Sequence, residues 1–139
     1  MNRELWVLIS SEITAVIRFI DGFDWVVTYE DRREQFHAVT LGKKEMESLF
    51  ETIVRDRRPE VALSIPVEDW YRPERVRSVI RSRIDPVTLR PDLSAVLDAD
   101  EFPPTIELRS PDHVLTLSIP DLIATIKAAE YLMSSSDSE

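Results

Sequence analysis

From Glu12 to Phe19 the chain alternates, with Ile13, Ala15, Ile17 and Phe19 on one side, which is the period-two pattern of a half-buried strand. The turn signal Asp21-Gly22 comes directly after it. Trp25, Val27 and Tyr29 then share one face of a second strand, and the polar stretch Asp31 to Glu34 predicts a hairpin loop into a third, Gln35 to Leu41. Three antiparallel strands are therefore expected before the first helix.

The period then changes. Met46, Leu49, Phe50, Ile53 and Val54 fall at i, i+3, i+4, i+7 and i+8, so 43–57 reads as a helix with a narrow apolar stripe, ended by Pro59. Val61, Leu63 and Ile65 alternate again and predict a short strand stopped by Pro66. Pro73 suits the first turn of a helix running to Ile84, with Val76, Val79, Ile80 and Ile84 inward. Pro86, Pro91, Pro103 and Pro104 punctuate the next stretch, leaving room for a short helix at 92–97.

The last stretch reads as a hairpin and a helix. Ile106 and Leu108 face Leu115 and Leu117 across the turn Ser110-Pro111-Asp112, and Ser118 with Asp121 has the spacing of a capping box. The helix 119–133 carries its main stripe at Ile119, Leu122, Ile126, Ala129 and Met133, while Ala124, Ala128, Tyr131 and Leu132 make a second apolar side. A helix apolar on two sides is expected to be covered on both, so those four residues are assigned to a dimer interface or to the central helix. Residues 134–139 have no periodicity and are expected to be a disordered tail.

One phrase occurs twice. His37-Ala38-Val39-Thr40-Leu41-Gly42, with Glu45, Met46 and Phe50 after it, returns 76 residues later as His113-Val114-Leu115-Thr116-Leu117-Ser118, with Asp121, Leu122 and Ile126 after it. The expected fold is thus α+β: one antiparallel sheet of about five to seven strands, with helices 43–57 and 119–133 on one of its faces. Strand-strand-helix units at 12–57 and 104–133 would be related by a pseudo-twofold axis and joined by a basic helical connector, 61–100, within one domain spanning 1–133. In topology alone, strands leading into a capped helix, twice, resembles the single-strand nucleic-acid binders of the transcriptional-coactivator and Whirly type. That resemblance implies a basic sheet, and here the strands offer few basic residues, Arg18 and Arg109.

Composition narrows the chemistry. The chain has 139 residues and no cysteine, which removes thiolate catalysis, thiolate metal sites and disulfides and fits a reducing cytoplasm. No leader-like or membrane-spanning apolar run is present, so a soluble cytoplasmic protein without a membrane partner is expected. The net charge is −9, yet residues 55–90 carry nine bases against six acids, whereas 91–139 carry two against ten. Such an acidic chain opposes general binding to phosphate backbones and favours a basic protein partner.

Two glycines, Gly22 and Gly42, are too few for a phosphate cradle or a dinucleotide fingerprint, and no serine sits in a Gly-x-Ser-x-Gly elbow. His37 and His113, with Glu30, Glu34, Glu107 or Asp112, are far from any metal-ligand spacing. No catalytic, cofactor-binding or metal-binding residue is therefore assigned. The recognition candidates are Trp70, Tyr71, Arg72, Arg75, Arg77 and Arg81, where aromatics lie beside guanidiniums and Arg77 and Arg81 fall on one side of the predicted helix.

The resulting reading is a non-enzymatic protein-interaction module, an adaptor, inhibitor or immunity-type protein, whose acidic surface docks on a protein partner and which forms a homodimer. The alternative is a single-strand nucleic-acid binder using the Trp70–Arg81 patch. A further alternative is a small enzyme using His37 or His113.

Overall fold

The computed structural model describes residues 4–20, 24–33, 37–81, 84–100 and 102–137, the last four as backbone only. It is α+β, with two four-stranded antiparallel sheets and four α-helices among the described residues. The Asp21-Gly22 turn and Glu34 lie outside the described residues.

The first sheet is the meander β1 (Glu4–Leu8), β2 (Ile13–Phe19), β3 (Trp25–Asp31) and β4 (Ala38–Gly42). Its registers align Leu5, Ile17, Val27 and Leu41 in one row and Val7, Ala15, Tyr29 and Val39 in the next. These residues share one face because successive side chains alternate, and all of them on β2, β3 and β4 are buried. On the opposite face the Thr28 and Thr40 hydroxyls are 2.9 Å apart.

The second sheet repeats the meander as β5 (Val87–Arg90), β6 (Leu93–Asp98), β7 (Thr105–Arg109) and β8 (Val114–Ser118). Leu97, Ile106 and Leu117 form one row, and Val87, Ala95, Leu108 and Leu115 the other. The hairpin read from Ile106, Leu108, Leu115 and Leu117 is therefore present in the expected register.

The helices are α1 (Lys43–Ile53), α2 (Pro59–Leu63), α3 (Pro73–Val79) and α4 (Ile119–Asp137), with a 3-10 turn at Val67–Tyr71. β4 runs straight into α1 and β8 straight into α4. At the second junction the Ser118 hydroxyl accepts the Asp121 N–H at 3.2 Å, satisfying one of the four free donors of the first turn. No described helix is long and apolar enough to cross a membrane.

The chain divides into two compact units: residues 1–43 with 123–139, and residues 44–122. The first sheet thus groups with most of α4, and the second sheet with α1. This corrects the expectation of one sheet of five to seven strands bearing both helices on one face, since there is no shared sheet for them to lie on.

Four local expectations change as well. Glu4–Leu8 adds a fourth strand ahead of α1. Residues 61–65 are not a strand: Pro59 starts the short helix α2, which buries Ala62. Residues 92–97 are not a helix, because Leu93 and Ala95 face inward from β6, which begins after the Pro91-Asp92 turn. Finally, α1 and α3 stop short, at Ile53 and Val79, because Val54 and Ile80 leave their helices to pair as an isolated bridge. That bridge is flanked by hydrogen bonds from Arg55 N–H to the Val79 carbonyl, 2.8 Å, and from Arg81 N–H to the Ile53 carbonyl, 2.9 Å.

Candidate functional site

The arginine-aromatic segment folds in the second unit, and its six residues do not share one surface. Trp70 is the buried residue of the 3-10 turn, at 0% exposure, with its indole N–H unpartnered among the described residues. Its ring is unavailable for stacking. Tyr71 beside it is 59% exposed. Arg72 reaches Asp69 at 3.7 Å, Arg75 is exposed, and Arg77 lies over the Phe102 ring at 5.4 Å from its centroid. The Arg77 carbonyl also accepts a hydrogen bond from the Arg55 guanidinium at 2.8 Å. Since Ile80 is extended, Arg81 is no helical neighbour of Arg77; it lines a cleft instead.

That cleft, about 770 Å³ and open to solvent, lies wholly within the second unit. Thr52 of α1, Arg81 and the segment 84–87 form one part of its lining, and the end of β6 with Asp100 forms the rest. Three carboxylates, Asp85, Asp98 and Asp100, are in its wall, and Ile84, Val87 and Leu97 contribute apolar lining. The Asp98 carboxylate accepts the Asp100 N–H at 3.0 Å, which holds the turn at the strand end. No cation pairs with any of the three among the described residues, whereas Glu45 on α1 is engaged by Arg90 at 3.2 Å and Glu107 by Arg109 at 2.6 Å. Sequence reasoning missed this cleft because its walls come from residues up to 48 positions apart, Thr52 to Asp100.

Each histidine sits one residue before a strand, and both are half-buried. The His37 carbonyl accepts the Asp31 N–H at 3.2 Å, and the His113 carbonyl accepts the Ser110 N–H and hydroxyl at 2.9 and 3.0 Å. Both therefore close hairpins through their backbones. Among the described residues no group of three or more His, Asp or Glu is placed to hold a metal ion.

On α4, Ile119, Leu122, Ile123, Ile126 and Ala129 are buried, as is Thr125. Of the residues assigned to an interface, Ala124 is exposed, Tyr131 is 72% exposed, and Ala128 and Leu132 are half-buried. The chain matches no protein-family model, no curated protein and no solved structure.

Proposed function

We propose that the protein is a non-enzymatic interaction module that receives basic side chains of a protein partner in the cleft of its second unit. The observation that carries this reading is that Asp85, Asp98 and Asp100, without cationic partners among the described residues, line one cleft together with Ile84, Val87 and Leu97. A lysine or arginine has the matching form, an aliphatic stem for the walls and a cationic head for the carboxylates. Charge-assisted hydrogen bonds to carboxylates are the stronger kind, and a net charge of −9 steers a basic partner inward. The buried Trp70 and the engaged Arg72 and Arg77 weigh against the same unit stacking and gripping a nucleic-acid strand.

The two halves also support a duplicated architecture, which we take as part of the proposal. The 76-residue offset carries β4 onto β8 and the start of α1 onto the start of α4. The row Val7, Ala15, Tyr29, Val39 has its counterpart in Val87, Ala95, Leu108, Leu115.

The test is an amide NMR titration with an arginine-rich peptide. Shifts should concentrate at Val87 and Leu97 to Asp100, with a dissociation constant of about 0.1–1 mM for one or two anchored side chains. The pair Asp98→Asn and Asp100→Asn should abolish them. Absence of cleft shifts refutes the reading. Single-stranded DNA or RNA binding that is lost on charge reversal at Arg75, Arg77 and Arg81 would replace it with the nucleic-acid alternative.

A further inference from the structure

β1 is an outer strand of the first sheet, and it lacks the usual guards of an open edge. It contains no proline, its five-residue register with β2 runs without a bulge, and its single charged side chain, Glu4, is tied to Arg18 at 3.0 Å. The other outer strands differ. β5 has a register irregularity between Thr88 and Arg90 and comes after Pro86, β4 turns out only Ala38 and Thr40, and β8 turns out Val114 and Thr116.

On the face that carries the buried Thr14 and Val16 of β2, β1 adds Glu4 and two large apolar side chains. Trp6 is 58% exposed and Leu8 68%, and Ile20, which continues the same face at the end of β2, is 63% exposed. The backbone agrees with the side chains. Ile9 N–H donates to the Ile13 carbonyl at 3.0 Å, and this sets the ladder phase: residues 5 and 7 bond inward to β2, so Glu4, Trp6 and Leu8 direct their N–H and C=O groups outward.

We infer that this edge pairs with β1 of a second copy of the chain, antiparallel and centred on Trp6. That register sets Trp6 opposite Trp6 and Glu4 opposite Leu8, using all three outward-facing residues in about six ladder hydrogen bonds per dimer. On the other face it sets Leu5 opposite Val7, so the half-buried margin of the core face continues across the junction. The charge pattern selects a second copy over a basic partner. The charges bordering the edge are already matched within the chain, Glu4 with Arg18 and Glu12 with Arg33 at 3.3 Å, so two acidic molecules meet there without opposing an unpaired carboxylate. One five-residue strand and three side chains fall short of the about 800 Å² per partner of a stable interface. The dimer is accordingly weak, with a dissociation constant of about 10–100 μM.

The chain has no cysteine, so single cysteines report the register directly. Sedimentation of the full chain should show predominantly dimer at about 300 μM and predominantly monomer after dilution to about 1 μM, as the constant above requires. Trp6→Lys should leave monomer only. Leu8→Pro, which removes one outward N–H and no bond to β2, should weaken the dimer at least tenfold, with an unchanged circular dichroism spectrum showing that the fold survives. Under mild oxidation Trp6→Cys should cross-link to itself, whereas Leu8→Cys should not, because its two sulfurs start about 13 Å apart along the strands. A mixture of Leu8→Cys and Glu4→Cys should cross-link. The inference is overturned by a monomer at about 300 μM, by a dimer indifferent to Trp6→Lys and Leu8→Pro, or by dissociation on Ala128→Glu alone, which would assign the interface to α4.

Discussion

Replacing Trp70 separates a residue that builds the fold from one that meets a partner. The side chain is fully buried, so Trp70→Ala should cost about 3–5 kcal/mol through lost burial and the cavity left behind. For a chain of this length each kcal/mol moves the melting temperature by about 2–4 °C, giving a fall of about 6–20 °C. Trp70→Phe should behave differently. It removes an indole N–H that has no partner among the described residues, whose burial costs about 1–3 kcal/mol, and it forfeits one ring of packing worth a similar amount. The two nearly offset, so this variant should melt within about 1 kcal/mol of the wild type. Thermal and urea melts monitored by circular dichroism measure both. An unperturbed melt for Trp70→Ala, or a loss for Trp70→Phe as large as that for Trp70→Ala, would refute the reasoning. A core role further requires that Trp70→Phe bind the arginine-rich peptide like the wild type.

Two further substitutions probe the joints between elements. Ser118→Ala deletes the hydroxyl that accepts the Asp121 N–H at the start of α4 and should lower stability by about 1 kcal/mol in a urea melt; no change would mean the cap contributes nothing. Arg57 has φ of 58°, the left-handed region in which a side chain is penalised, so Arg57→Gly should raise stability by about 0.5–1 kcal/mol after the added freedom of the unfolded chain is subtracted. A fall in the melting midpoint would contradict that sign.

The legible elements are those with an uninterrupted period. β2 and β3 are marked by Ile13 to Phe19 and by Trp25, Val27 and Tyr29, α1 by its stripe from Met46 to Ile53, and the junction of β8 with α4 by Ser118 and Asp121. Short apolar runs are ambiguous. Leu93 to Leu97 satisfies a strand and a turn and a half of helix equally well, and pairing with β7 decides between them. Val61 to Ile65 alternates, yet adopts a helix after Pro59 and buries Ala62 and Ile65. Glu4 to Leu8 has a nearly continuous apolar core, Leu5 to Leu8, and only its register with β2 shows which side chains face out.

The candidate sites are less legible than the elements. The spacing of Arg77 and Arg81 places them together on a helix, but the Val54–Ile80 bridge ends that helix before Arg81. Trp70 and Tyr71 are neighbours in sequence with opposite fates, one buried and one 59% exposed, because a short 3-10 turn sends adjacent side chains in different directions.

By itself, then, the sequence determined the α+β class, the strand-to-helix junctions at 42–43 and 118–119, and the absence of thiol chemistry. These depend on local periodicity, capping and composition, which a short window contains. Only the tertiary structure decided that the described strands form two open sheets of four, that α1 groups with the second sheet and most of α4 with the first, and that Asp85, Asp98 and Asp100 share one cleft. The physical reason is that apolar periodicity says which face of an element is buried but not what buries it; that choice belongs to contacts between residues far apart in the chain.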